Sequence, residues 1–255
     1  MLKRGLDFVL DTNKIYNMDC FEGMKLINDK SIDLILSDPP YGELDLEWDK
    51  KPDLNKLFKE YNRIIKDDGN IVLTASTRFA VDLINANKEY FRYDWVWYKT
   101  APVNFLNAKK MPLRNHELIL VFYKNHGTYN PQGLIKLEQE KRSKGNIAKD
   151  GAYKNYNKCY TSTHTNYPKS ILKFKKGSNG TLHPTQKPID LFRYLILTYS
   201  NKNDIVLDNY MGSGTTAISA ISADRKYIGF ELSEKYYKIA SERIELFENH
   251  KNGNK

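Results

Sequence analysis

Cysteine is nearly missing from this chain: Cys20 and Cys159 are the two among 255 residues, accompanied by five histidines. Neither type falls at the paired spacings that zinc ligands or a disulfide framework need, so no metal site is expected and a reducing cytoplasm is the compartment that fits. Long apolar runs are missing too. Nothing approaches the roughly 20 residues required to cross a bilayer. The apolar stretch after Lys3 and Arg4 is broken by Asp7 and is too short for a signal peptide. A soluble, cytoplasmic protein is expected, long enough for one α/β domain with an insertion.

Acids are scarce in one segment only. Between Asn125 and Pro188 there are twelve Lys or Arg against three acids, which accounts for the whole net charge of +9. Tyr129, Tyr153, Tyr156, Tyr160, Tyr167 and Phe174 are interleaved with these cations, and helical or strand periodicity is weak. Cations meet phosphates and rings pack on sugars or bases, so the segment suits a polyanion; a solvated loop is the plainer alternative.

What is present elsewhere alternates. Branched apolar runs that end in turn signals predict strands at 14–20, 32–36, 70–76, 93–99, 117–123, 204–208 and 226–232. Helical spacing predicts helices at 53–66, 77–88, 188–200, 214–223 and 233–248. This order argues for a doubly wound, mainly parallel sheet, and the 93–99 and 117–123 pair, with no helix between, for an antiparallel edge. The expected domains are a body of 1–124 plus 183–255 and an insertion at 125–182.

Two motifs stand at predicted strand ends. "SDPPYG" follows "IDLIL": proline cannot donate to a ladder, so the strand stops at Asp38, and Pro39 and Pro40 make a stiff spur between Asp38 and Tyr41. "DIVLDNYMGSGTTAISAISADRKYIGFEL" reads as strand, glycine loop, helix and strand. Gly212 and Gly214 allow a sharp turn close to a ligand, and the helix from near Thr215 presents free N–H groups. Glu231 closes the next strand, where nucleotide sites place the acid that binds ribose hydroxyls. Ala217 replaces the third glycine of the dinucleotide fingerprint, and no lysine follows Gly214 as a P-loop demands. A nucleoside cofactor without phosphates to cradle fits best. S-adenosyl-L-methionine is such a cofactor, and Asp208 is placed to face its ammonium.

"SDPPYG", "HPTQKP" at 183–188 and "DNYMGSGTT" at 208–216, in this order, resemble the permuted, β-class DNA amino-methyltransferases of DPPY type. The resemblance covers 13–125 and 182–247. It implies a seven-stranded, Rossmann-like methyltransferase sheet with circularly permuted motif order, S-adenosyl-L-methionine as cofactor, and 125–182 as target-recognition insertion. It also implies that Asp19 and Cys20 lie near the adenine, that Glu231 binds the ribose, and that Thr185 and Lys187 line the methionyl end. Asn209 and Tyr210 stand where the family commonly has proline and phenylalanine; the aromatic is kept.

The implied chemistry is methyl transfer to an exocyclic amine. Asp38 and the Pro39 carbonyl would accept its N–H bonds, Tyr41 would stack on the base, and neither Ser37 nor Cys20 need act as nucleophile. A paired base must be flipped out first. Trp48, in the loop 41–51, would be a wedge or a packing residue, and Arg114 and Asn115 base readers or loop residues. Aspartate at the first motif position implies N6 of adenine in double-stranded DNA. The N4 amine of cytosine, an RNA or protein amide, and a non-enzymatic DNA-binding protein of the same fold stay open as alternatives. A homodimer and a cognate restriction endonuclease stay open as further partners.

Overall fold

The computed structural model describes residues 10–46, 49–143, 160–175 and 186–253. In chain order the elements are β1 (Lys14–Asn17), α1 (Cys20–Lys25), β2 (Ile32–Ser37), α2 (Leu54–Ile64), β3 (Ile65–Ala75), α3 (Thr77–Ala86), β4 (Phe91–Val103), β5 (Arg114–Phe122), β6 (Ile135–Ser143), β7 (Tyr160–Thr165), β8 (Ile171–Phe174), α4 (Ile189–Tyr199), β9 (Ile205–Asp208), α5 (Thr215–Ser222), β10 (Lys226–Glu231) and α6 (Glu234–Gly253). The chain forms two compact units, 131–169 and the remainder.

The larger unit is built on one eight-stranded sheet in the order β1-β10-β9-β2-β3-β5-β4-β8. All pairings are parallel except those of β5 with β3 and β4. Each of the seven expected strands is present. The eighth, β8, comes from the segment read as insertion, where its four residues were too short to show a period. The expected antiparallel pair of β4 and β5 is present, but it does not form the edge: β5 also pairs antiparallel with β3, and β8 lies beyond β4.

Alternation along the strands sorts side chains to two faces. Ile71, Leu73, Leu120 and Phe122 join the core under α1, α2 and α3 with Met24, Leu57, Phe58 and Phe79. Val72, Ile119 and Val121 join the opposite core under α4, α5 and α6 with Leu195, Ile218 and Ile244. β2 is flanked by β9 and β3, and its residues from Leu34 to Ser37 are fully buried. A strand covered on both faces needs a continuous apolar run, which is why 32–36 shows no polar alternation.

The first strand ends earlier than expected, at Asn17 rather than residue 20. Asp19 turns the chain into α1 by accepting from Phe21 N at 2.9 Å and Glu22 N at 3.2 Å. This six-residue helix was missed because one turn and a half shows no period.

The smaller unit contains the antiparallel pair β6 and β7, with Lys136 opposite His164 and Arg142 opposite Thr161. Asn166 donates to Gly133 O at 2.7 Å. Among the described residues no helix is long and apolar enough to cross a membrane.

Candidate functional site

The parallel strands β1, β10, β9 and β2 end on one sheet edge, which carries Glu231 and Asp208 as the last residues of β10 and β9, and Asp19 and Asp38 just after β1 and β2. Ligands of open α/β sheets bind at this edge. Here it opens into a cavity of about 980 Å³. Asp19, Cys20, Asp38, Pro39, Pro40, Tyr41, Lys187, Asp208, Tyr210, Gly212, Thr215 and Glu231 all line it. Twelve positions spread from 19 to 231 thus converge on one space. Gly214 lies behind the wall, and Thr185, Trp48 and Cys159 fall outside the described residues.

Asp38 stands at one end of the cavity. Its Oδ1 accepts from Tyr41 OH at 2.9 Å and from the Thr74 hydroxyl, and its Oδ2 pairs with Lys187 Nζ at 2.5 Å. A carboxylate offers about four acceptor directions, so among the described residues these three donors leave one for a ligand. Tyr41 is aligned with Phe79, ring centroids 5.2 Å apart at 29°, and its ring lies 5.7 Å from the Lys187 ammonium. Burial first, then the Asp38 and Glu117 charges, push the Tyr41 phenol well above its ordinary pKa, so it stays a hydrogen-bond donor.

Lys187 also lies 3.5 Å from Glu117 Oε2, and the other Glu117 oxygen pairs with Lys99. Charges therefore alternate along Lys99, Glu117, Lys187 and Asp38, with side-chain exposures of 7, 14, 6 and 20%. Burial alone draws the Lys187 ammonium down, but the Asp38 and Glu117 carboxylates outweigh it and hold its pKa above the usual value. Burial draws Glu117 up, and the two lysines reverse this. Breaking such a pair by removing one partner costs about 3–5 kcal/mol, because the other charge is left buried.

The turn after Tyr41 is gathered by Asp49. Its Oδ1 accepts from Tyr41 N at 2.9 Å and Gly42 N at 3.1 Å, and its Oδ2 from Glu43 N at 2.9 Å and Leu44 N at 2.6 Å. With Pro39 and Pro40 fixing φ before it, the spur is held from both sides. Gly42 takes the positive φ of 68° that this turn requires.

The glycine loop forms the other end. Asp208 is 2% exposed; Oδ1 accepts from Ser37 Oγ at 2.7 Å and Tyr210 N at 3.0 Å, and Oδ2 from Thr216 Oγ1 at 2.5 Å. Burial lifts its pKa to about 6 against the pull of the Thr216 and Ser37 hydroxyls. Glu231 holds the loop from β10, accepting from Gly212 N and Ser233 N at 2.8 Å each. Burial raises its pKa as well. Tyr61 OH reaches Asn209 Oδ1 at 2.5 Å, and burial raises the Cys20 thiol beside Tyr210 and Asn209. Gly212 and Gly214 have φ of 54° and 83°. A Cβ on Gly212 would meet nothing nearer than Tyr210 O at 3.9 Å, so the missing side chain leaves room at the wall.

These walls suit a nucleoside that carries a positive charge. Asp19, Asp208 and Glu231 bring carboxylates, Met18, Phe21, Phe230 and Leu232 bring apolar surface, and the Gly212 side is open. Sequence reading missed Thr74, Asp49, Glu117 and Lys99. Thr74 is one hydroxyl in an apolar strand and carries no motif. The other signals were weak: Lys99 and Glu117 are charges on strands whose neighbours are apolar, which marks a buried pair only once β4 is known to lie against β5.

Comparison with known proteins shows the family and the fold. The profile of the DNA methylase family of N6 and N4 amino-methyltransferases matches residues 32–242. Type II methyltransferase M.HinfI of Haemophilus influenzae is 32% identical over 96% of this chain and 71% of its own. DNA adenine methyltransferase YhdJ of Escherichia coli is 30% identical over 92% and 84%. Among solved structures, the M1.HpyAVI complex with SAM superposes with a TM-score of 0.65 at 26% identity, over 91% of this chain and 98% of that one. The cytosine-N4-specific PvuII DNA methyltransferase reaches the same TM-score at 17% identity, over 95% and 93%, which speaks to the fold alone. The protein belongs to the N6/N4 DNA methylase family.

Proposed function

We propose that this protein methylates the N6 amine of adenine in a specific sequence of double-stranded DNA, with S-adenosyl-L-methionine as cofactor. The observation that carries the reading is Asp38, at the tip of β2 with one acceptor direction left, in the same cavity as the glycine loop. The relative named as a DNA adenine methyltransferase, at 30% identity, supports adenine.

Bound in the cavity, S-adenosyl-L-methionine supplies a methyl group activated by its sulfonium. In the proposed arrangement Asp19 and Cys20 would hold its adenine, Glu231 the ribose, and Asp208, Thr215 and Lys187 the methionyl end. The chain's task is then to make a poor nucleophile attack. The lone pair of an aryl amine is conjugated into its ring. Asp38 would accept one N–H bond and the rigid Pro39 carbonyl the other, which localises the lone pair toward the methyl group. As the N–C bond forms, the S–C bond breaks with its electron pair left on sulfur as a neutral thioether. The proton that the methylated amine sheds passes to Asp38 and on to water. The spur is preorganised by Pro39, Pro40 and Asp49, so little reorganisation accompanies the step. Tyr41, held on Phe79 and Asp38, supplies an aromatic edge to the pocket.

Such a site reaches a base only after it leaves the stack. The basic segment 125–182 is the proposed reader of duplex DNA. Lys136, Lys141 and Arg142, exposed on β6, and the exposed Lys169 are its described cations on the smaller unit. Mass analysis of nucleosides from DNA incubated with enzyme and cofactor tests the reading: N6-methyladenine is expected, and N4-methylcytosine in its place overturns it.

A further inference from the structure

The two most exposed large apolar side chains among the described residues are neighbours in sequence, Phe105 at 76% and Leu106 at 84%. They stand on a short 3-10 turn, Phe105–Asn107, between β4 and β5. The turn is not slack. Asn107 N donates to Asn104 O at 3.0 Å, Ala108 N to Phe105 O at 3.1 Å, and Met111 N to Asn107 O at 3.0 Å. Asn107 Nδ2 adds a bond to Asn104 Oδ1 at 2.7 Å, and Asn104 holds the left-handed φ of 73° that starts the turn. A fixed turn thus keeps two apolar side chains in water, where neither joins either core cluster. Exposed apolar surface of this kind marks a contact with something outside the chain.

Its position indicates what. Val103 and Arg114 pair across the base of the loop, and both line the cavity that holds Asp38. Arg114 Nη1 lies 3.4 Å from Glu43 Oε2, so the loop is tied to the turn after Tyr41. From Asn104 to Arg114 the charged residues are Lys109, Lys110 and Arg114, with no acid. An apolar tip flanked by cations at the mouth of a base-sized pocket matches a duplex, whose phosphates attract the lysines and whose base stack accepts an apolar wedge.

We propose that Phe105 and Leu106 are the wedge that enters the DNA and fills the gap left when the target base swings into the cavity, with Lys109 and Lys110 on flanking phosphates. The proposal rests on the DNA-amine reading above. Unpairing a base costs a few kcal/mol, and side chains that occupy the vacated stack lower that cost. The wedge therefore acts on paired targets alone, which separates it from a residue that touches the amine or cofactor.

The test uses the full chain and a short duplex carrying the sequence that the wild-type enzyme modifies, found by sequencing plasmid DNA treated with it. The duplex is made fully paired, or with an abasic site opposite the target base. Single-turnover methyl transfer is measured for wild type, for Phe105→Ala with Leu106→Ala, and for Phe105→Trp. The double variant is expected to be at least about tenfold slower on the paired duplex and within about twofold of wild type on the abasic one, because only the first must be opened. Phe105→Trp, which keeps a wedge, is expected to stay near wild type on both. Equal loss on the two duplexes, or no loss on the paired one, overturns the wedge. A double variant that changes sedimentation while its paired-duplex rate is kept assigns the patch to a second copy of this chain, and this also overturns it. A wild-type enzyme that methylates no DNA contradicts the function itself, whereas an active wild type with an unchanged duplex ratio contradicts the wedge alone.

Discussion

Ser37 Oγ donates a 2.7 Å hydrogen bond to Asp208 Oδ1, joining residues 171 positions apart. The two stand at the tips of β2 and β9, which pair in the sheet through Leu34 with Val206 and Ile35 with Leu207. The bond ties the spur that carries Asp38 to the turn that carries Gly212. Ser37 is therefore a strut between the two ends of the cavity. It needs no role in the chemistry to be required there.

The Asp208 carboxylate gives this strut a pH signature. Its pKa is lifted to about 6 by burial, from an ordinary value near 3.8. A raised acid pKa means that the folded state binds more protons than the unfolded state between those values, so the Asp208 contribution to stability falls as pH rises through that window. Asp208→Asn cannot titrate. Urea unfolding of the two proteins at pH 4 and pH 7 should show wild type losing about 2 kcal/mol relative to the variant over that interval, from a shift of about two units. A constant difference between them would mean that Asp208 is ionised freely in the fold.

Lys187 makes a second prediction. Its ammonium is 2.5 Å from Asp38 Oδ2 and 3.5 Å from Glu117 Oε2, so it orients the acceptor proposed for the amine. Lys187→Met should lower kcat roughly a hundredfold, the scale of losing a preorganised polar group beside a reaction centre. Steady-state kinetics separate this from simple cofactor contact. A raised KM for S-adenosyl-L-methionine at unchanged kcat would show that Lys187 only holds the cofactor.

The two glycines of the loop should fail differently. Gly214 has φ 83° and a Cβ there would lie 3.2 Å from Ala240 Cβ, so Gly214→Ala should cost stability, about 1–2 kcal/mol by thermal or urea unfolding. Gly212 lines the cavity and a Cβ there meets only Tyr210 O at 3.9 Å, so Gly212→Val should carry mainly the φ cost of about 1–2 kcal/mol in folding. Its cofactor affinity, by calorimetry, should drop at least about tenfold as the side chain takes up cavity space. Equal cofactor affinity in Gly212→Val and wild type would place the ligand elsewhere.

Much of this site was legible in the sequence because its parts are local. Pro39 and Pro40 announce a strand end, and Gly212 and Gly214 announce a turn, whatever surrounds them. The partners of those parts were not legible. Thr74 reaches Asp38 from β3 and Glu117 reaches Lys187 from β5, and these contacts follow from strand order, which periodicity does not encode. The same limit hid β8, and with it the true edge of the sheet beyond the antiparallel β4 and β5 pair: a four-residue strand is decided by the sheet as a whole. Asp49 was hidden because one acid in a polar loop looks the same whether it is solvated or gathers four N–H groups.

Salt dependence tests the proposed DNA surface. Replacing Lys136, Lys141 and Arg142 by glutamine removes three cations from β6. If they meet phosphates, DNA affinity falls and the slope of log K against log salt becomes shallower by about 0.9 per lost contact. An unaltered slope in titrations over a range of salt would leave these charges to solvation.

The amine acceptor is central to the proposed chemistry, and Asp38→Ala addresses it most directly. Single-turnover transfer of labelled methyl from S-adenosyl-L-methionine to DNA, measured beside the affinities for DNA and for cofactor, separates chemistry from binding. With Asp38 as the amine acceptor, both affinities are expected to stay within about threefold of wild type while transfer falls by at least about a hundredfold. Undiminished transfer in Asp38→Ala would contradict that role.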